Sequence, residues 1–383
     1  MHYIRFLKSP RLLLNSPPVL SAKVTVTTDL GESFLLTDIA LFVELESEDG
    51  SNILGPGKGR EYMWKGRSGM RSLEVSIPIP LSKSKGRGGG RMRMLVRPKE
   101  DKYNVDTLGI LLTGNNNPNE DEGRVLAVRS MSLDNGQPAE GQNAGVGMAK
   151  RVLISGSKEI VVWEETGESI ARHIWDAGLM LSSYIAAISP SNTPHPEYLH
   201  TLPELPTLGK ILSLKDLNIL ELGAGCGIVG ITLSKFLPSA SQILLTDLPE
   251  ASEILEHNLS PSILLPQNRT KITHQVLDWA SPLQPNIKET DWDLIVVADC
   301  TYNPDVVPDL VSTLKSITQG NKRKHALILL AMKVRHESEM VFFDLMARNG
   351  FVIQEKAVLP LPVLAGEGEQ IEIFGFMLRD AGD

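Results

Sequence analysis

The stretch "LNILELGAGCGIVGITLSKF", residues 217–236, constrains the fold of this chain more than any other. An apolar run ends in Glu221, passes through Gly223, Gly225, Gly227 and Gly230, and continues with apolar residues at helical spacing. Strand, glycine turn and helix in that order build the ligand-cradling end of an open α/β sheet. The backbone there must turn tightly and approach a ligand with no Cβ in the way. Downstream, strands read at 218–223, 242–248, 272–279, 293–299 and 326–334, and helices near 227–237, 249–259, 304–318 and 336–349. Such alternation predicts a parallel sheet covered by helices on both faces. Two further strands, 351–359 and 370–378, have no helix between them and therefore pair antiparallel. The expected fold is α/β: a Rossmann-like sheet of seven strands, five parallel and closed by a C-terminal antiparallel hairpin.

The first 150 residues differ in rhythm. Residues 24–45, 71–81, 91–98 and 124–133 alternate and are rich in β-branched side chains, which predicts a smaller β-rich domain. The polar, glycine-rich segments 82–91, 113–123 and 134–147 between them read as long flexible loops. The expected division is 1–150 for this extension and 151–383 for the α/β domain. A hairpin opens the second part, followed by a helix over 169–188 and a proline-rich link over 190–206. Residues 1–23 carry Arg5, Lys8, Arg11 and Lys23 before the first acid, Asp29, a faint likeness to a mitochondrial presequence. Their prolines, and the lack of a clear amphipathic helix, favour an ordinary N-terminal arm.

Composition excludes more than it assigns. A net charge of −8 argues against a protein that coats nucleic acid, which needs a basic stripe. No apolar run approaches the length of a membrane span. Cys226 and Cys300 are the two cysteines, so no disulfide framework is implied, and a cytoplasmic home is expected. The histidines are scattered rather than paired at ligand spacing, so no metal site is expected.

The glycine turn alone leaves the ligand open. Gly225, Gly227 and Gly230 satisfy the GxGxxG of a dinucleotide site, and Asp247 at the end of the next strand suits the ribose of nicotinamide and adenosylmethionine cofactors alike. Four features separate the two. Glu221 at the strand tip suits a cationic amino-acid portion and would repel a pyrophosphate. Asp278 and Trp279 end the third strand with a carboxylate for an exocyclic amine and an indole for an adenine face. Asp299 and Tyr302 follow the fourth strand, where the crevice of such a sheet holds the reacting atoms. The terminal hairpin departs from a plain dinucleotide fold. Together these favour S-adenosyl-L-methionine.

At this point the residues resemble a known family. "ELGAGCG", Asp247, "LDW" and "DCTY", preceded by "IWDAGLMLSSYI", are similar to the motifs of the seven-β-strand protein-lysine methyltransferases, which act on chaperones and translation elongation factors. "MKVRHESEMVFFDLMARNGF" resembles the family's segment after the fifth strand, and the extension resembles that of fungal members. The resemblance implies cofactor contacts at Trp175, Gly223, Ala224, Gly225, Asp247, Trp279 and Ala298. It also implies that Asp299 and Tyr302 shape the channel for the target lysine, with a protein, such as an elongation factor, as partner. Asp176 reads as a hydrogen-bonding residue of the helix start. Other open readings are a methyl acceptor other than lysine (a nucleic acid or small molecule) and a cofactor-binding adapter without catalysis. Cys300 and Thr301 stand where a flat-amide clamp would need prolines, which counts against an amide or nucleobase acceptor.

Overall fold

The computed structural model describes residues 1–14, 16–80, 91–113, 123–134, 137–138, 147–166, 170–191, 202–264, 270–321, 326–363 and 369–379. Most of the three loops expected at 82–91, 113–123 and 134–147, and most of the proline-rich link, lie outside them.

The C-terminal half is built on one sheet. Its strands are β1 (Asn218–Leu222), β2 (Gln242–Asp247), β3 (Lys271–Val276), β4 (Leu294–Ala298), β5 (Leu327–Met332), β6 (Phe351–Pro360) and β7 (Gln370–Leu378). They lie in the order 3-2-1-4-5-7-6, with five parallel strands and β7 inserted antiparallel between β5 and β6. The expected seven-stranded sheet is what forms. "NILEL", "LIVVA" and "LILLAM" are almost wholly buried, as strands covered on both faces must be. The helices α1 (Asp176–Ile188), α2 (Ile228–Phe236), α3 (Ser252–Asn258), α4 (Val307–Gly320) and α5 (Val341–Arg348) pack beside them. The strand order reverses between β1 and β4. Their carboxyl ends therefore flank the crevice where such a sheet takes its ligand.

The N-terminal part is a β structure of two sheets with a common apolar core that includes Phe6, Val24, Leu41, Trp64 and Met94. Residues expected to form an arm are instead the strand His2–Leu13. It pairs antiparallel with Val19–Thr27 and parallel with Val125–Leu126. Alternation explains this: Ile4 and Phe6 join the β core while Tyr3 turns the other way, into the core of the α/β half.

The β ladder also crosses residue 150. The hairpin of Met148–Ser155 and Lys158–Glu165 pairs with Val128–Ser130, so it extends a sheet of the N-terminal part. Leu153, Ile160 and Val162 of that hairpin sit in the same core as α1 and α2, so the two halves are fused through apolar contact.

The helix expected over 169–188 is shorter. Ile170–Arg172 is a single 3-10 turn, and α1 begins only at Asp176. The cause is tertiary: Ile174 N–H donates to the buried Glu164 carboxylate (3.0 Å), and the carbonyls of Ala171 and His173 pack over Gly225.

Candidate functional site: the crevice between β1 and β4

The loop after β1 is made of left-handed turns. Gly223, Gly225 and Gly227 have φ of 70°, 57° and 84°, a region closed to most side chains. Gly223 also lies where a Cβ would stand 2.3 Å from Cys300 Sγ and 3.5 Å from the Trp279 ring. The glycine turn, the residue after Asp299 and the indole after β3 therefore meet at one point. Ala224 is buried behind the turn.

Glu221 is 1% exposed, and its Oε2 has no hydrogen-bond partner. Burial, and secondarily the Asp247 carboxylate, push its carboxyl up to about 8, against the Gly230 N–H, which pulls it down. Gly230 is required here, because a Cβ at that position would stand 2.7 Å from Oε2. Asp247 accepts from Gly225 N–H (2.7 Å) and Leu248 N–H (2.7 Å), and burial raises its carboxyl too. Each oxygen keeps a lone pair for a ribose hydroxyl.

The remaining expected contacts are placed unevenly. Ala298 ends β4 and is half-buried. Trp175 caps α1, and its Nε1 donates to Ile170 O (3.1 Å). Asp278 is exposed; its carboxylate accepts from Ala280 N–H (3.0 Å), the local turn that a short acid makes at a strand end. The Ser281 hydroxyl donates to the same carboxylate (3.4 Å).

Asp299, directly after β4, is held at φ 57°, an uncommon conformation for a residue with a Cβ. Its two oxygens are taken by Arg335: Oδ1 lies 2.7 Å from Nη1, and Oδ2 lies 2.8 Å from Nη2. Burial raises the Asp299 carboxyl, and the guanidinium opposes that shift. Arg335 also donates to Asp29 Oδ2 (2.7 Å) and lies over the Trp175 ring, 5.6 Å from its centroid. Tyr302 stays half-exposed. Together with Leu30 and Ile170, the residues Trp175, Asp299, Tyr302 and Arg335 line a cleft of about 70 Å³.

Sequence reasoning missed Arg335, Lys333 and Asp29. The first two follow β5 at its carboxyl end, and the rule that singled out Asp299 would have found them. Asp29 had no comparable signal, because it lies in a turn of the N-terminal part. Lys333 bridges Asp176 (3.0 Å), Glu369 (2.7 Å) and Asp29 (3.6 Å). Asp176 is therefore a hydrogen-bonding residue, as expected, and a buried one. No metal-ligand cluster occurs among the described residues.

The chemistry of this donor set fits S-adenosyl-L-methionine. A buried carboxylate with an unused oxygen awaits a cation, glycines leave the backbone bare, and an acid and an indole stand at neighbouring strand ends.

Comparison with known proteins agrees. The model of the lysine methyltransferase family matches residues 154–349. UPF0665 family protein C23C4.06c of Schizosaccharomyces pombe is 31% identical over 202 residues, 52% of this chain and 54% of that protein. Protein N-lysine methyltransferase METTL21A of Mus musculus is 28% identical over 49% of this chain and 71% of its own length. Protein-lysine N-methyltransferase EFM2 of Saccharomyces cerevisiae is 27% identical over 50% of this chain and 44% of its own length. The chain thus spans about half the length of the two yeast relatives. With just over half its residues inside the family match, the chain belongs to the lysine methyltransferase family, whose cofactor is S-adenosyl-L-methionine.

Proposed function

We propose that this chain transfers a methyl group from S-adenosyl-L-methionine to the side-chain amine of a lysine in a protein. The observation that carries the reading is that Cys300 packs on Gly223, while its chain neighbours Asp299 and Tyr302 line one small cleft with Trp175 and Arg335. When bound, the cofactor supplies an electrophilic methyl group on a positively charged sulfur. Glu221 would hold its cationic amino-acid end, Asp247 its ribose, and Trp279 its adenine.

The chain's own task is to align the amine and to let it shed its proton. A lysine has an ordinary pKa near ~10.4 and reaches the site as ammonium. Asp299 offers its free lone pairs to orient that amine, and water in the cleft takes the proton. Tyr302 offers a ring face to the lysine stem, a contact on the order of 0.5–2 kcal/mol when a cation is involved. Alignment of this kind replaces much of the entropic barrier.

The acceptor class we put first is a translation elongation factor, as implied by the family resemblance, with chaperones second. A cytoplasmic location suits the two buried thiols, Cys226 and Cys300.

The test is a transfer assay with methyl-labelled cofactor in a eukaryotic lysate, with wild type and Asp299→Ala side by side. Label in one protein band, recovered as methyl-lysine and lost in the variant, is the expected result. Label in RNA or small molecules would move the function to another acceptor, and cofactor binding without any transfer would favour an adapter.

A further inference from the structure

Asp299 poses a difficulty for its own role. A lone carboxylate stabilises a neighbouring ammonium and raises its pKa, by about one to three units at contact distance, yet only the neutral amine attacks. The bidentate pairing with Arg335 removes the difficulty. We propose that Arg335 cancels the charge of Asp299 so that the incoming lysine is oriented as a neutral amine, and that Asp29 of the N-terminal β domain is the positioning residue that holds Arg335 there. This inference rests on the reading of the site as a protein-lysine methyltransferase.

The geometry is specific. The two Nη atoms of Arg335 engage both oxygens of Asp299, and Nη2 also donates to Asp29 Oδ2. A planar guanidinium makes such a fork; an ammonium cannot. Asp29 is 1% exposed, and its backbone carbonyl accepts from Arg5, which fixes the Thr28–Ser33 turn from the strand side. Arg335 lines the same cleft as Tyr302, so its positive charge also opposes an ammonium there directly.

The other charged groups nearby are two cations facing three carboxylates, so they leave no positive charge to spare for Asp299. Lys333 answers Asp176, Glu369 and the far oxygen of Asp29, and the Met1 amine adds to Asp176. The Arg335 backbone N–H is held by Glu339. Burial keeps Cys300 and Tyr302 in their neutral forms, and Asp247 lies across the glycine turn on its own backbone donors. Removing Arg335 therefore leaves Asp299 as the unbalanced charge beside the amine.

The expected consequence is a shift in the pH dependence of kcat, which reports the ionisation of bound lysine. The 383-residue chain is assayed at saturating cofactor and acceptor, using the protein labelled in the lysate, from about pH 6.5 to about pH 10. With Arg335→Gln, the pH at which kcat rises moves up by about one unit, so kcat near neutral pH falls about tenfold while KM does not increase. Arg335→Lys, which keeps the charge but not the fork, recovers only part of the wild-type pH dependence. Asp29→Asn moves the same way as Arg335→Gln but less.

A bridge that serves only to hold the domains together would lower thermal stability in Arg335→Gln and leave the pH dependence in place, which overturns the inference. A higher kcat in Arg335→Gln overturns it too, since Arg335 would then be an obstruction. Wild type that labels no protein at all overturns the lysine-methyltransferase reading and the inference with it. Should Arg335→Gln fail to fold, the comparison of Asp29→Asn with Asp29→Glu decides: the first shifts the pH dependence and the second restores it.

Discussion

The Tyr3 hydroxyl donates a 2.7 Å hydrogen bond to Asp176 Oδ1, tying the first strand of the β domain to the first turn of the helix α1. Both residues are buried, and Asp176 Oδ2 meets Lys333 at 3.0 Å on the opposite side. Tyr3→Phe keeps the ring packing and removes the donor to a buried carboxylate. A loss of about 1.5–3 kcal/mol is expected, read as a lower urea midpoint with unchanged slope. An unchanged midpoint would mean that Lys333 and the Met1 amine suffice to satisfy Asp176.

The buried carboxyl of Glu221 should show itself as a proton. Glu221 has a folded pKa of about 8, above its ordinary value, so folding takes up a proton at neutral pH. The stability this contributes is full below the unfolded pKa and is lost as pH rises through about 8. A cation bound at Oε2 favours the ionised form. Binding of S-adenosyl-L-methionine near neutral pH is then expected to release close to one proton, measured by calorimetry in buffers of different ionisation heat. Glu221→Gln should abolish the release and weaken binding by roughly tenfold or more. Proton release that persists in the variant would assign it elsewhere.

Gly223→Ala tests the turn. Its φ of 70° costs an L-residue about 1–2 kcal/mol, and the new Cβ would meet Cys300 Sγ at 2.3 Å. Lower stability and at least about tenfold weaker cofactor binding are expected. In a Cys300→Ala background the steric share disappears and the φ share remains, so the stability loss should shrink without vanishing. Equal losses in both backgrounds would show that the sulfur moves aside freely.

Acid should unfold the protein through its buried pairs. Glu164 is buried, which alone would raise its carboxyl. Arg151, at hydrogen-bond distance with both Nε and Nη2 on Oε1, outweighs this and holds it well below the carboxylate range. Asp176 is likewise brought to about 2 against its burial, chiefly by the Met1 amine and Lys333. Both folded values lie below the unfolded ones. The stability they contribute is present above about pH 4.5 and is lost as pH falls toward about 2. Arg151→Met leaves Glu164 buried without its cation and should cost about 3–5 kcal/mol near neutral pH. Denaturant titrations across this range check both statements; a variant as stable as wild type would show that His173 or water replaces the guanidinium.

The sequence by itself determined the α/β half. Runs such as "LIVVA" and "LILLAM" have no polar face, so they can form only strands covered on both sides, and a strand, glycine turn and helix can meet only at the carboxyl edge of such a sheet. Glu221, Asp247, Trp279 and Asp299 were legible because strand ends place them by counting along the chain.

Only the tertiary structure decided how the two halves join. Arg335 and Asp29 are 306 residues apart, and neither periodicity nor local spacing reports an ion pair between a turn of one domain and a strand end of another. The first strand looked like an arm because its second face is polar or mixed; of that face Tyr3 is buried, against Asp176 of α1, while Leu7 and Ser9 stay exposed. The hairpin that spans residue 150 has the alternation of a strand pair in either half, and its pairing with Val128–Ser130 goes with burial of Leu153, Ile160 and Val162 against α1 and α2, contacts that sequence spacing does not encode.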